Sequence, residues 1–381
     1  MARPMNSPRI LAYLVTEDWY FVSHRLPMAR AARDAGYQVH VLTNVRRHGA
    51  AIEAEGFQLH PLPWRRGSLN PFRVLAVIGE VRRLYRQLNP DLVHHVALQP
   101  SIVGSLAALG LPIPCLNALT GMGYAFSSHG IRAAIMRPIF TGLLRFLLNR
   151  RRAAVLVQNP DDGDMMLGLG IDVGKVFRIA GSGVDTEKLL PLPEPAGPPT
   201  AAYVGRLLEY KGLPTLIAAF RLLAQRGRDM QLLIAGEPDP ANPNSIPRAE
   251  VESWRDVPGV VLLGHVEAIE TVWRKAHIAV LASRREGLPL SLLEAAACGR
   301  AIVASDVAGC REIAQAGVNA ELVPPDDPEA LAGAIERLAS DAGRRRKFAE
   351  AGRRLVEQKF SSAQIGREIV ALYDRLAAAR S

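Results

Sequence analysis

Short apolar runs alternate with amphipathic helical segments along most of this chain, and the rhythm is interrupted once, by five prolines between Pro191 and Pro199. Strands separated by helices of ten or more residues pair in parallel, and a parallel sheet must be covered on both faces. The first half predicts a strand over Ile10–Val15, a helix over Ser23–Ala35 stopped by Gly36, and a strand over Gln38–Thr43. A helix over Pro71–Leu88, a strand over Leu92–Val96 and a helix over Ser101–Leu109 follow. After the prolines come strands at Ala201–Val204, Gln231–Ala235, Val260–Leu263, Ile278–Leu281 and Ala301–Ala304, with helices at Leu213–Gln225, Ala330–Ala339, Arg344–Gln358 and Ala363–Ala379. The 381 residues exceed what one core usually supports. The expected architecture is two doubly wound α/β domains, residues 1–190 and 201–360, joined by a Pro-rich linker over 191–200 and followed by a C-terminal helix over 361–381. Their strand ends are expected to face a central cleft.

Charge narrows the choice of partner. The net charge is +9, and up to Pro195 there are 22 Lys+Arg against 14 Asp+Glu, so nearly all the excess is N-terminal. Residues 92–160 hold no acid, while Arg132, Arg137, Arg145, Arg150, Arg151 and Arg152 interleave with Ile131, Ile135, Ile139, Phe140, Leu143, Leu144, Phe146, Leu147 and Leu148. A solvated helix face is the ordinary reading of such a run. Its apolar interleaving instead describes a basic amphipathic helix, broken at Pro138, that suits an anionic membrane surface. Cys115, Cys298 and Cys310 have neither disulfide nor zinc-site spacing, and no apolar run reaches the length of a spanning helix.

Three places carry chemistry. In Ser283-Arg-Arg-Glu-Gly-Leu-Pro-Leu-Ser-Leu-Leu-Glu294 a strand leads through Glu286 and Gly287 into a helix starting near Pro289. The amides of Gly287, Leu288, Pro289 and Leu290 would form a phosphate-binding helix N-terminus, with Glu286 placed for sugar hydroxyls and Glu294 for a ribose. The plainer alternative makes Glu286 a cap and Glu294 solvated. In Val204-Gly205-Arg206-Leu-Leu-Glu-Tyr-Lys211-Gly212 two cations lie around a turn at a strand end, a pairing that suits a diphosphate, or a common cationic loop. In the first half, His24, the adjacent His94 and His95, and the loop Thr120-Gly121-Met-Gly are expected at one end of the first sheet. P-loop, dinucleotide, zinc-protease and hydrolase-elbow motifs are missing, as are an Asp-x-Asp metal motif and any nucleic-acid-binding motif.

Glu286 and Glu294 with seven residues between, and Gly205-Arg206 through Lys211-Gly212, resemble the retaining glycosyltransferases of family four with the GT-B fold. The first half is similar to a narrower group acting on polyprenyl-diphosphate-linked sugars, through Glu17-Asp-Trp-Tyr-Phe-Val-Ser-His-Arg25, Asn117-Ala-Leu-Thr-Gly-Met-Gly-Tyr-Ala-Phe126, Val157-Gln-Asn-Pro-Asp-Asp162, Gly181-Ser-Gly-Val-Asp185 and Gly236-Glu-Pro-Asp-Pro-Ala-Asn-Pro243. The resemblance implies that Arg206 and Lys211 hold the donor diphosphate, Glu286 contacts the transferred sugar, Glu294 the ribose, and the amides after Glu286 the distal phosphate. It also implies an active-site histidine after the Asp91-Leu-Val strand, His94 being preferred to His95. The paired glycines usual in the family's first loop are replaced by Val22-Ser23-His24.

The expected reaction is transfer of a hexose or N-acetylhexosamine from a nucleotide sugar, uridine-linked, to a polyprenyl-diphosphate-linked sugar in surface polysaccharide or glycan assembly. Neither cofactor nor metal is expected, and the place of action is the cytoplasmic face of the membrane, peripherally bound. Two rivals are a sugar-nucleotide epimerase on the same fold and, outside enzymes, a basic nucleic-acid-binding module, which would leave the Glu pair without a task.

Overall fold

The computed structural model describes residues 8–64, 70–119, 131–240 and 242–378, except for the side chains of 131–137. The chain forms two compact units: Met1–Ser182 with Ser362–Ser381, and Gly183–Ser361. The first contains strands β1 (Ile10–Glu17), β2 (Gln38–Asn44), β3 (Gln58–Pro61), β4 (Leu92–Val96), β5 (Cys115–Ala118), β6 (Ala153–Val157) and β7 (Val176–Arg178). They make one parallel sheet in the order β3-β2-β1-β4-β5-β6-β7. On one face, helices Asp18–His24, Leu26–Asp34 and Ser362–Ala378 bury Leu11, Tyr13, Val15, Phe21, Ile369 and Tyr373 in a common core. On the other, helices Pro71–Leu88 and Leu98–Ala107 pack Val77, Val81, Tyr85 and Val103 against Ala12, Leu14 and Val93.

The second unit contains β8 (Thr200–Val204), β9 (Gln231–Ala235), β10 (Val260–Gly264), β11 (Ile278–Leu281), β12 (Ala301–Ser305) and β13 (Ala320–Val323). Its parallel sheet runs β10-β9-β8-β11-β12-β13. The strand order reverses between the parallel neighbours β8 and β11, which makes their carboxyl ends the switch point where α/β sheets bind ligands.

Three local expectations change. The first helix begins at Asp18 rather than Ser23 and breaks at Arg25 into two pieces, so His24 is helical. Asp18 fixes that start: its buried Oδ2 accepts the backbone N–H groups of Arg46, Arg47 and His48 at 2.7–3.0 Å. These bonds outweigh desolvation and hold its carboxyl below the ordinary range. The helix Ile131–Leu148 runs through Pro138 instead of ending there, although an interior proline removes a ladder bond and crowds the preceding turn. The prolines after Pro191 belong to the second unit. Arg300 donates to the Leu192 and Pro193 carbonyls at 2.9 and 2.8 Å, and Arg345 pairs with Glu194 at 2.7 Å, so the stretch is strapped down.

Candidate active site

The site grows from two neighbouring strand ends in the second unit. β8 ends at Val204; Gly205 follows, its N–H bonded to the Ala235 carbonyl at 3.0 Å, and the chain turns through Arg206 to a short 3-10 segment Glu209–Lys211. From there Lys211 sends its Nζ to both oxygens of Glu286, at 2.6 and 2.9 Å. The fully buried Ser283 donates its hydroxyl to Glu286 Oε1 at 2.6 Å. Both carboxylate oxygens are thus engaged, and the pair is largely removed from water, with side-chain exposures of 18% and 8%. In such a setting each charge is tolerated because the other is there. Glu286 therefore does not cap the helix: that helix is Leu290–Ala297, and its N-cap position is Pro289, which makes no side-chain cap bond.

Backbone contacts set the loop geometry. Gly212 has φ +71°, and a Cβ there would lie 1.8 Å from the Ala282 carbonyl oxygen, which locks the Lys211 turn to the end of β11. A Cβ on Gly309 would lie 2.5 Å from the Gly287 oxygen and 2.6 Å from the Glu286 oxygen. No flexible side chain can yield there. Gly309→Ala is expected to push the Glu286–Gly287 peptide aside and reduce kcat/KM about 10- to 100-fold with the fold retained, as steady-state kinetics beside circular dichroism will show.

Arg206 is partly exposed and meets Asp239 Oδ2 at 3.1 Å. Glu294 lies on the Leu290–Ala297 helix and makes no side-chain hydrogen bond among the described residues. Burial, reinforced by the like charge of Glu270, pushes its carboxyl up to about 8. Glu294 is therefore half-buried rather than fully solvated. Of the four residues expected to offer amides, Gly287 and Leu288 lie in the loop and Leu290 opens the helix. Pro289 has no N–H to offer, so its place among the phosphate donors is withdrawn.

The first unit corrects the histidines. His94 and His95 are both fully buried. In β4 they point to opposite, equally covered faces: His94 pairs in register with Tyr13, and His95 with Leu14. His94 Nδ1 lies 2.7 Å from the Tyr373 hydroxyl, which meets the Tyr13 hydroxyl at 2.7 Å. His95 sits between the Tyr85 hydroxyl (2.9 Å) and Asn117 (2.8 Å). Burial holds His94 well below the ordinary imidazole range, and burial, partly offset by the Asn117 bond, brings His95 to about 4. Both rings serve the core as neutral hydrogen-bonding groups, and the expectation of a cleft-facing catalytic His94 is corrected on that ground. His24 is partly exposed, stacked on Tyr20 at 4.3 Å and 2.6 Å from the Ser23 hydroxyl. Thr120 and Gly121 lie outside the described residues.

Ser283, Gly309 and Asp239 were missed in the sequence. Ser283, three residues before Glu286, and Asp239, within the Gly236–Pro243 phrase, carried a sequence signal but no assigned role; Gly309 reaches the site through tertiary contacts only.

Comparison with known proteins agrees with this arrangement. Residues 198–341 match the family described as glycosyl transferases group 1, and residues 10–159 the one described as glycosyl transferase 4-like. The chain is 33% identical over 330 residues to the alpha-D-kanosaminyltransferase of Streptomyces kanamyceticus, covering 81% of this chain and 82% of that protein. It is 25% identical over 366 residues to the N,N'-diacetylbacillosaminyl-diphospho-undecaprenol alpha-1,3-N-acetylgalactosaminyltransferase of Campylobacter jejuni, covering 92% and 95%. The fold is shared with sucrose-phosphate synthase from Thermosynechococcus elongatus (TM-score 0.82, 22% identity, 97% of this chain and 100% of that one). It is shared also with Anabaena HepE in complex with UDP and glucose (TM-score 0.78, 16% identity, 97% and 100%). The epimerase alternative has no support from these relatives. Both sheets, the strand-end constellation and the kinship converge: the chain belongs to the group 1, GT4-like glycosyltransferases of the GT-B fold.

Proposed function

We propose that this glycosyltransferase moves a hexose or N-acetylhexosamine, with retention at the anomeric carbon, from a UDP-linked donor to a polyprenyl-diphosphate-linked sugar, in surface polysaccharide or glycan biosynthesis. The observation that carries the donor side is the pairing of Lys211 and Glu286 beside Arg206 at the switch point. As the bond from the anomeric carbon to the diphosphate breaks, negative charge grows on the leaving oxygens, and Arg206 and Lys211 are fixed in place to stabilise it. Glu286 holds the transferred sugar, Glu294 the ribose, and Gly287, Leu288 and Leu290 the distal phosphate. The acceptor hydroxyl bonds the anomeric carbon on the face the diphosphate leaves, which retains the configuration, and its proton passes to the departing diphosphate oxygen. In this reading the two cations take the part of a metal. The acceptor class is supported by the name of the Campylobacter relative, and in this reading the acceptor binds the first unit. The test is a screen of nucleotide sugars against a synthetic polyprenyl-diphosphate sugar, with EDTA present, followed by mass and linkage analysis. A glycosylated lipid is expected, and epimerised donor without acceptor product would overturn the reading.

We further propose that the first unit rests peripherally on the anionic, cytoplasmic face of the membrane. No helix of the described residues is long and apolar enough to cross a membrane. Ile139 and Phe146 are 64% and 61% exposed on helix Ile131–Leu148, with Arg145 exposed between them. Phe72 and Leu75 stand 80% and 62% exposed on the first turns of helix Pro71–Leu88, beside exposed Arg73. Arg150 is not part of this surface: its guanidinium donates to the Ser105 and Ala108 carbonyls, closing the end of helix Leu98–Ala107. Flotation with vesicles containing anionic lipid is expected to retain the wild type and to lose most of it when Ile139 and Phe146 become Ser and Arg145 and Arg151 become Gln. Equal retention of that variant would overturn the proposal.

A further inference from the structure

Residues 237–240 and 242–247 include most of the motif Gly236-Glu-Pro-Asp-Pro-Ala-Asn-Pro243, which the donor and acceptor assignments above leave without a task. In the structure this segment folds back along the Arg206 turn. Leu207 N–H donates to the Glu237 carbonyl at 3.1 Å, Ile246 N–H to the Leu207 carbonyl at 3.0 Å, and Glu209 N–H to the Asn244 carbonyl at 2.9 Å. Leu208 and Ser245 form an antiparallel bridge. The segment is itself braced, since Asp239 N–H donates to the Ser245 hydroxyl at 2.9 Å and Asn242 N–H to the Asp239 carbonyl at 2.7 Å. From this frame the Asp239 side chain, 18% exposed, meets Arg206 Nη1 at 3.1 Å, and the Tyr203 hydroxyl donates to the Arg206 carbonyl at 2.8 Å.

We infer that Asp239 is a positioning residue for the donor: from the braced residues 237–240 and 242–247 it orients the Arg206 guanidinium toward the diphosphate. The inference rests on the reading that Arg206 binds that diphosphate. A long arginine side chain loses rotamer freedom when it engages a phosphate, and an acceptor that already holds one edge of the planar fork removes part of that cost. A planar fork held in one orientation can meet phosphate oxygens through two parallel bonds. An amide oxygen at position 239 can hold the same edge, and it removes a negative charge that repels the incoming anion.

The experiment is calorimetric titration of the full chain, using UDP or GDP, whichever binds the wild type more tightly. Asp239→Ala is expected to weaken binding about fivefold, the scale of a partly exposed ion pair. Asp239→Asn is expected to restore binding to within twofold of wild type or better. In an Arg206→Ala background, Asp239→Ala is expected to add nothing. Unchanged binding by Asp239→Ala, failure of Asp239→Asn to rescue, or an undiminished loss in the Arg206→Ala background would each overturn the inference. If Arg206→Ala alone leaves binding unchanged, the diphosphate assignment itself falls and takes this inference with it; a loss in Arg206→Ala with none in Asp239→Ala rejects the positioning role alone.

Discussion

Glu286→Gln is expected to lower kcat by about 100-fold or more while the chain stays folded, the scale seen when one preorganised electrostatic group is removed from a transfer site. Its carboxylate takes both bonds from Lys211 Nζ and a third from Ser283. Glutamine keeps the volume but in either orientation turns an NH2 donor toward the Lys211 ammonium, and it leaves Lys211 without its counter-charge. A half-removed buried pair also costs stability, here on the order of 1–2 kcal/mol because Lys211 retains some access to water. Lys211→Met is expected to show a similar loss of kcat, since it removes the cation proposed to stabilise the leaving diphosphate and strands the Glu286 carboxylate. The double variant is expected to be more stable than the sum of the single losses predicts, because neither charge is then stranded. Steady-state kinetics and denaturant melts of the three variants check this. A Glu286→Gln enzyme turning over within threefold of wild type would remove Glu286 from the site.

Glu286 and Glu294 were legible in the sequence because they are local, whereas the pairing of Lys211 with Glu286 joins positions 75 residues apart. Ser283, Glu286 and Glu294 follow one strand within twelve residues, and the helix signals around Pro289 and Gly299 place them. Strands Gln231–Ala235 and Ile278–Leu281 were read at their observed bounds, since short continuous apolar runs are the mark of a doubly covered parallel sheet. The same property hid the histidines. In a sheet covered on both faces, alternation does not separate inside from outside, so His94 and His95 read as accessible while each ring lies in a core. β3, β5, β6, β7 and β13 escaped notice; the first of these, Gln58–Pro61, is polar and only four residues long. The pairing of Arg206 with Asp239, 33 residues apart, and the approach of Gly309 to Glu286 depend on how neighbouring strand ends meet. Spacing along one chain contains no record of that. The charge of Glu270 felt by Glu294 belongs to the same class, and it has the larger consequence.

Glu294→Gln is expected to make the protein more stable at neutral pH and worse at binding its donor. The Glu294 carboxyl rises from its ordinary 4.5 to about 8, first through burial and then through Glu270. Below about pH 4.5 both folded and unfolded chains carry the proton, and the residue has no effect on stability. Between 4.5 and 8 the unfolded chain ionises and the folded chain does not, so stability falls as pH rises through that window, and above 8 the full penalty is present. A neutral glutamine removes the penalty. The expected gain at pH 7–8 is about 1–3 kcal/mol, toward the lower value because part of the residue remains accessible, and it should vanish near pH 4. A carboxylate kept at such a cost, with no hydrogen-bonding partner of its own among the described residues, fits a group whose partner is the ligand: a ribose diol donating two hydroxyls to it repays part of the desolvation. Donor affinity in the wild type is therefore expected to weaken as pH falls from 8 toward 6, because the protonated form accepts those hydroxyls less well. Glu294→Gln is expected to bind about tenfold more weakly at pH 8 and with little pH dependence. Denaturant melts at pH 4, 7 and 8.5 and donor titrations at pH 6 and 8 decide both halves. A variant less stable than wild type at pH 8.5 would show that Glu294 is held by the fold itself rather than kept for the donor.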